Sequence, residues 1–326
     1  MPRKPAYSPE ARRKLDRLTA LSINRPRMVA FAAELVATEK DPFVLRSALA
    51  ALDGEALPTH RTKFLARYRE LARSGPKGDP GAGLRIGLLK ALRPLLRDDD
   101  LPLLEEALNT YEYIPGPGPP SESAQGLRAE ALLAMADRDP TRAAYQAVRL
   151  LVDDGNTDRY NGEPAVTAAR LMSAMDTPLA LYLYLVRQLG TIAEVTVECI
   201  KGLRSTPAPE LKTIFEAYGH QDDGFIVVGC IELALDHAPS PETDAFLAKK
   251  LRTDRTDIYN YAVTAMVASH RSELLAMVLD TVDAEHDAAK LAILAEALKL
   301  ADTEPAVRDA IKRVREKLIA REGQSR

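Results

Sequence analysis

The chain of 326 residues has no tryptophan, and aromatic residues make up only 5% of it. Sheet-built proteins depend on aromatic and β-branched side chains to pack a pleated surface, so this scarcity argues against a β fold. Two cysteines, Cys199 and Cys230, are too few for a disulfide framework. Both fall in apolar helical stretches, which predicts buried, reduced thiols. The longest apolar runs, at 179–186 and 225–231, fall short of the roughly 18 residues that a membrane span needs. No apolar segment follows the basic start of the chain, so no signal peptide and a cytoplasmic location are expected. There is no Gly-rich phosphate loop, paired-Cys metal motif or nucleophile elbow. His60, His220, His237, His270 and His286 lack metal-ligand spacing, so neither a metal, a cofactor nor a catalytic residue is expected.

What is present is helical. Alanine and leucine, both strong helix formers, are abundant. Apolar residues recur at intervals of three and four, as in Met28, Phe31, Ala32 and Leu35, or Leu291, Leu294, Leu298 and Ala301. Prolines stand where first helical turns should begin: Ser8-Pro9, Asp41-Pro42, Asp139-Pro140, Glu163-Pro164, Thr177-Pro178, Thr206-Pro207, Ser240-Pro241 and Glu304-Pro305. Proline lacks an N–H that would be unpaired at that position anyway, and a preceding Ser, Thr or Asp can cap the other donors.

The helices recur in related form. ALAAL ends at Leu52, LLKAL at Leu92, ALLAM at Met135, LMSAM at Met175, CIKGL at Leu203, CIELA at Ala234, AVTAM at Met266 and LAEAL at Leu298. Successive end points lie 28 to 43 residues apart, room for two short helices and two turns. Such periods mark an all-α solenoid of about eight helical hairpins. On these small-plus-aliphatic second helices, and on Asp-Pro turns such as that before FVLRSALAALDG, the chain resembles the HEAT-repeat (armadillo-like) family, bacterial members in particular, over about residues 24–302. That resemblance implies a non-catalytic scaffold or adaptor that binds a protein along a groove lined by the second helices. It would turn Lys90, Arg93, Arg170, Lys201 and Arg204 toward one stretch of groove, with Glu232 and Glu296 further along. Alkylpurine DNA glycosylases with HEAT-like repeats offer a nucleic-acid-binding alternative, but their tryptophans have no counterpart here.

Two segments interrupt the array. The Pro- and Gly-rich YEYIPGPGPPSES at 111–123 is expected as a linker or insertion dividing a basic N-terminal part, 1–110, from an acidic remainder, 124–326; a polyproline-type docking segment is the sharper alternative. In DDGNTDRYNGE, Asp154, Asn156 and Asp158 have the spacing of a calcium loop, but Arg159 stands where glycine is required and Ala165 where glutamate is. A capped turn explains the same residues, and acidic pairs such as Glu105–Glu106 and Asp98–Asp100 are expected on a solvated face.

A net charge of −3 conceals a strong asymmetry. Residues 1–97 hold 20 basic and 9 acidic residues, and the remainder 24 and 38. Between Thr59 and Arg97 there are 10 basic and 2 acidic residues. Candidate binding residues are Arg61, Lys63, Arg67, Arg69, Arg73, Arg85, Lys90, Arg93 and Arg97. They suit an acidic protein partner or a nucleic acid, and the alternative is a solvated face paired with acids elsewhere in the chain. No membrane partner is expected.

Overall fold

Prolines and short polar side chains set the helix starts much as the sequence suggests. Ser8 accepts from the Ala11 amide at 3.1 Å, Asp41 from Phe43 at 2.9 Å, Asp139 from Arg142 at 3.0 Å and Ser240 from Thr243 at 3.2 Å. Thr177 departs from this pattern, because its hydroxyl turns back to the Met172 carbonyl at 3.0 Å.

The computed structural model describes residues 8–115, 121–189 and 192–324, and the fold is all-α. It divides into two compact units, 1–171 and 172–326. The first holds α1 (Pro9–Ala20), α2 (Arg25–Thr38), α3 (Pro42–Leu52), α4 (Arg61–Ser74), α5 (Gly83–Leu92), α6 (Leu101–Leu108), α7 (Gln125–Ala136) and α8 (Pro140–Leu151). Helix α9 (Ala165–Ala174) crosses the boundary. The second holds α10 (Pro178–Val186), α11 (Ala193–Lys201), α12 (Ala208–Tyr218), α13 (Gly224–Asp236), α14 (Pro241–Lys250), α15 (Thr256–Ala268), α16 (Ser272–Ala284), α17 (Ala288–Ala297) and α18 (Pro305–Gln324).

Within each unit, alternate helices stack on one another. In the first, α1, α3, α5 and α7 pack in succession, and α2 packs on α4. In the second, α11, α13, α15 and α17 do the same, with α10, α12 and α14 behind. The repeat end points form the seams: Leu52, Leu92, Met135, Leu203, Ala234, Met266 and Leu298 are all buried, while Met175 is half-buried. Small residues let the rows approach closely. A β-carbon at Gly87 of α5 would lie 3.0 Å from the Leu49 side chain of α3. Cys199 and Cys230 are free and buried in α11 and α13, and burial pushes the Cys230 thiol up to about 12.

Residues 111–123 do not separate the units. Tyr113–Ile114 (β1) pairs antiparallel with Ser121–Glu122 (β2), a ribbon that the sequence pattern did not suggest. Residues 116–120, at the centre of the segment, lie outside the described residues, so the docking alternative is left to them. The ribbon's base is tied into the first unit by buried charge. Glu122 accepts from the Glu112 amide at 3.1 Å, the Ala124 amide at 2.7 Å and Arg128 Nη2 at 2.8 Å. Arg128, fully buried, also donates to the Thr110 and Asn156 carbonyls and lies 4.3 Å above the Tyr111 ring. Of Asp154, Asn156 and Asp158, Asn156 serves this anchor by accepting from the Tyr113 hydroxyl at 2.6 Å, while Asp158 caps its own turn by accepting from the Tyr160 amide at 2.7 Å. The neighbouring Asp153 accepts from the Tyr111 hydroxyl at 2.8 Å.

Candidate functional site

The basic segment 59–97 folds into α4 and α5, and the fold distributes its cations to three different environments. Arg85 points inward from α5 and is 2% exposed. Its Nε donates to Asp79 at 3.1 Å, and its Nη1 and Nη2 grip both oxygens of Glu112 at 2.7 Å. It is an internal cation that holds the ribbon base to α5, and, contrary to the expectation for a binding residue, it presents no surface to a partner.

A second group lies along α4 and the turn after α5. Arg61 bonds Asp100 at 2.6 Å and the Leu95 carbonyl at 3.1 Å. Asp100 is buried, so the expected solvated acid is instead part of an interior ion pair. Arg67 pairs with Glu70 at 2.6 Å and donates to the Glu39 carbonyl at 2.7 Å. Arg69 and Arg73 line a hollow of about 490 Å³ whose other wall carries Asp99, Asp100 and Glu106. The chain's own acids therefore offset these two arginines. Lys63 and Arg97 are exposed and do not line this hollow.

The third group faces a hollow of about 600 Å³ built by α3, α5 and α7. Arg46 and Asp53 come from α3 and its C-terminus, Lys90 and Arg93 from α5 and its end, and Glu130 from α7. Ala50, Gly83 and Gly87 keep the floor low. Arg93 is held by Asp137 in two bonds, at 2.5 and 3.1 Å. That hydrogen bond raises the Arg93 pKa and holds the Asp137 carboxyl below its usual range. Arg46 and Lys90 are exposed and make no hydrogen bond or ion pair among the described residues. These two cations share the hollow with Asp53 and Glu130, but neither is hydrogen-bonded to an acid among the described residues.

Sequence reasoning found Lys90 and Arg93 but missed Arg46 and Glu130. The signal was in the repeat register. Arg46 lies six residues before Leu52, as Ile86 lies six before Leu92, and Glu130 lies five before Met135, as Gly87 does before Leu92. Residues at those offsets share one face because helical positions three or four apart are neighbours.

The corresponding face of the second unit is neutralised from within. Lys201 of α11 meets Glu232 of α13 at 2.8 Å, and Tyr261 of α15 donates to Glu232 at 2.7 Å. Burial pushes the Glu232 carboxyl up, but these two bonds outweigh it and leave the group below its usual value. Arg204 reaches the Ser173 hydroxyl at 3.3 Å, and Glu296 pairs with Lys299. Arg170, on α9 within the first unit, is not free either.

Among the described residues no group of three or more His, Cys, Asp or Glu side chains could hold a metal ion. No described helix is long and apolar enough to cross a membrane. No family model matches the chain, and no curated protein matches it. Among solved structures, an engineered protein resembles it at 16% identity and a TM-score of 0.43, over 94% of each chain. That likeness is too slight to carry a fold or a function from one chain to the other.

Proposed function

We propose that this chain is a non-catalytic interaction protein, a scaffold or adaptor of HEAT-like hairpins, whose groove along α3, α5 and α7 takes an acidic segment of a protein partner. The observation that carries this reading is the pair Arg46 and Lys90, exposed and without an acidic partner, above a floor of Ala50, Gly83 and Gly87. The stacking of alternate helices within each unit supports the reading as helical hairpins, and the pairing of Lys201 with Glu232 in the second unit favours the first unit as the place for an anion.

An acidic protein fits better than a nucleic acid. Affinity for a phosphate backbone rises with the number of phosphates neutralised, which calls for a continuous basic strip. Here the free cations are few, Asp53 and Glu130 stand beside them, and Arg69 and Arg73 face acids in another hollow. Fluorescence anisotropy with a labelled Asp/Glu-rich peptide, and with a single-stranded oligonucleotide of equal charge, tests the assignment. The peptide should bind more tightly. Replacing Arg46 and Lys90 with Ser should weaken it and flatten its salt dependence, whereas replacing Arg69 and Arg73 should not. Tighter binding of the oligonucleotide, or sensitivity only to Arg69 and Arg73, would overturn the proposal.

A further inference from the structure

The groove holds two acids beside its cations, the exposed Asp53 at the end of α3 and a buried one on α7. Glu130, midway along α7, is 7% exposed and lines the hollow, yet it makes no hydrogen bond or ion pair among the described residues. Buried carboxylates are ordinarily paired, because an ion removed from water loses its hydration. The other buried acids nearby follow that rule, Glu112 with Arg85 and Glu122 with Arg128. The groups that could serve Glu130 are otherwise engaged or stand off. Arg93 of α5 is bound by Asp137. Lys90 of α5 acts on it only through space. On α6 and α8, Glu105 is paired with Arg142, and Arg149 bonds the Tyr111 hydroxyl. Burial pushes the Glu130 carboxyl up, Lys90 and Arg93 oppose this, and Asp137 adds to it.

This inference rests on the reading of the groove as an anion site. A carboxylate arriving between Arg46 and Lys90 brings a second negative charge beside a carboxyl on a mostly buried side chain that faces the hollow. Two such groups in one hollow do not both stay ionised. Once protonated, Glu130 becomes a donor, and an O–H to carboxylate bond is among the stronger hydrogen bonds available to a protein. We propose that Glu130 takes up a proton from solvent as an acidic peptide enters the groove, and donates it as a hydrogen bond to a peptide carboxylate that Arg46 and Lys90 also attract. The proton stays on Glu130, no covalent bond changes, and the groove binds an acidic segment together with one proton.

Isothermal titration calorimetry of the full chain with an end-blocked hexaglutamate peptide tests this, at pH 7 and low salt, in two buffers of different protonation enthalpy. Peptide carboxylates, with pKa near about 4.3, are already ionised there. Wild-type protein should take up as much as one proton per peptide, and its affinity should fall by up to about tenfold per pH unit as pH rises. Glu130→Gln should bind without uptake and with little pH dependence. Wild-type binding that depends on Arg46 and Lys90 but involves no proton uptake, or uptake unchanged in Glu130→Gln, sinks this inference alone. Failure of the peptide to bind, or binding indifferent to Arg46→Ser with Lys90→Ser, sinks the groove reading and this inference with it. Absence of uptake in wild-type protein overturns the inference even if Glu130→Gln does not fold, and Glu130→Ala then serves as the second variant that must abolish any uptake seen.

Discussion

Replacing Arg85 with methionine keeps much of the side chain's length while removing its charge and its donors. Two acids depend on it to different degrees. Asp79, 1% exposed, also accepts the Leu84 and Arg85 amides at 2.9 and 3.0 Å, so it keeps partners. Glu112, 8% exposed, loses the guanidinium that grips both of its oxygens. Removing one member of a buried pair typically costs about 3–5 kcal/mol, because the remaining charge is stranded away from water. At about 2–4 °C per kcal/mol for a chain segment of this size, that corresponds to a fall in melting temperature of about 6–20 °C. Urea unfolding followed by far-ultraviolet circular dichroism at pH 7 measures it. Adding Glu112→Gln to Arg85→Met should recover a measurable part of the loss, since the stranded charge is then absent. A cost below about 1 kcal/mol, the range of exposed ion pairs, would show that Arg85 belongs to the surface after all.

Other consequences are open to simple assays. Cys199 and Cys230 should resist Ellman's reagent in the native protein at pH 8, since both are buried and burial pushes both thiols up; denatured, unreduced protein should give two free thiols, and rapid native labelling would contradict the packing. Glu130→Gln should unfold at a higher temperature than wild type at pH 8, with the gap narrowing as pH falls. The sign follows from a folded-state pKa raised above the unfolded value: protonated Glu130 stabilises the fold at low pH, and that contribution is lost as pH rises through the raised pKa. A gap that widens toward acid would refute the unpaired state of this carboxyl.

The helical class and the seams between helices were legible because they depend on local pattern. ALAAL, LLKAL and AVTAM place small and aliphatic residues at helical spacing, and their end points Leu52, Leu92 and Met266 are buried as that spacing requires. The division into units was not legible. Nor was the anchoring of the Pro- and Gly-rich 111–123 legible: Glu112 and Glu122 within it are held by Arg85 and Arg128, whose partnership appears only after folding. The same limit applies to the basic segment. Arg85 and Lys90 lie five positions apart on one helix, one turned inward and one outward. Composition counts them alike, and only the acids that meet them in space tell them apart. Arg46 lay outside the window of high charge because α3 and α5 become neighbours by stacking, not by sequence.

The central claim is that Arg46 and Lys90 receive an acidic segment in the groove of α3, α5 and α7, and charge reversal tests it most directly. Arg46→Glu with Lys90→Glu should lose the hexaglutamate peptide and gain a hexalysine peptide that wild type does not bind, both measured by anisotropy at low salt. If the reversed protein binds hexaglutamate as wild type does, the anion site lies elsewhere and the account of this groove is wrong.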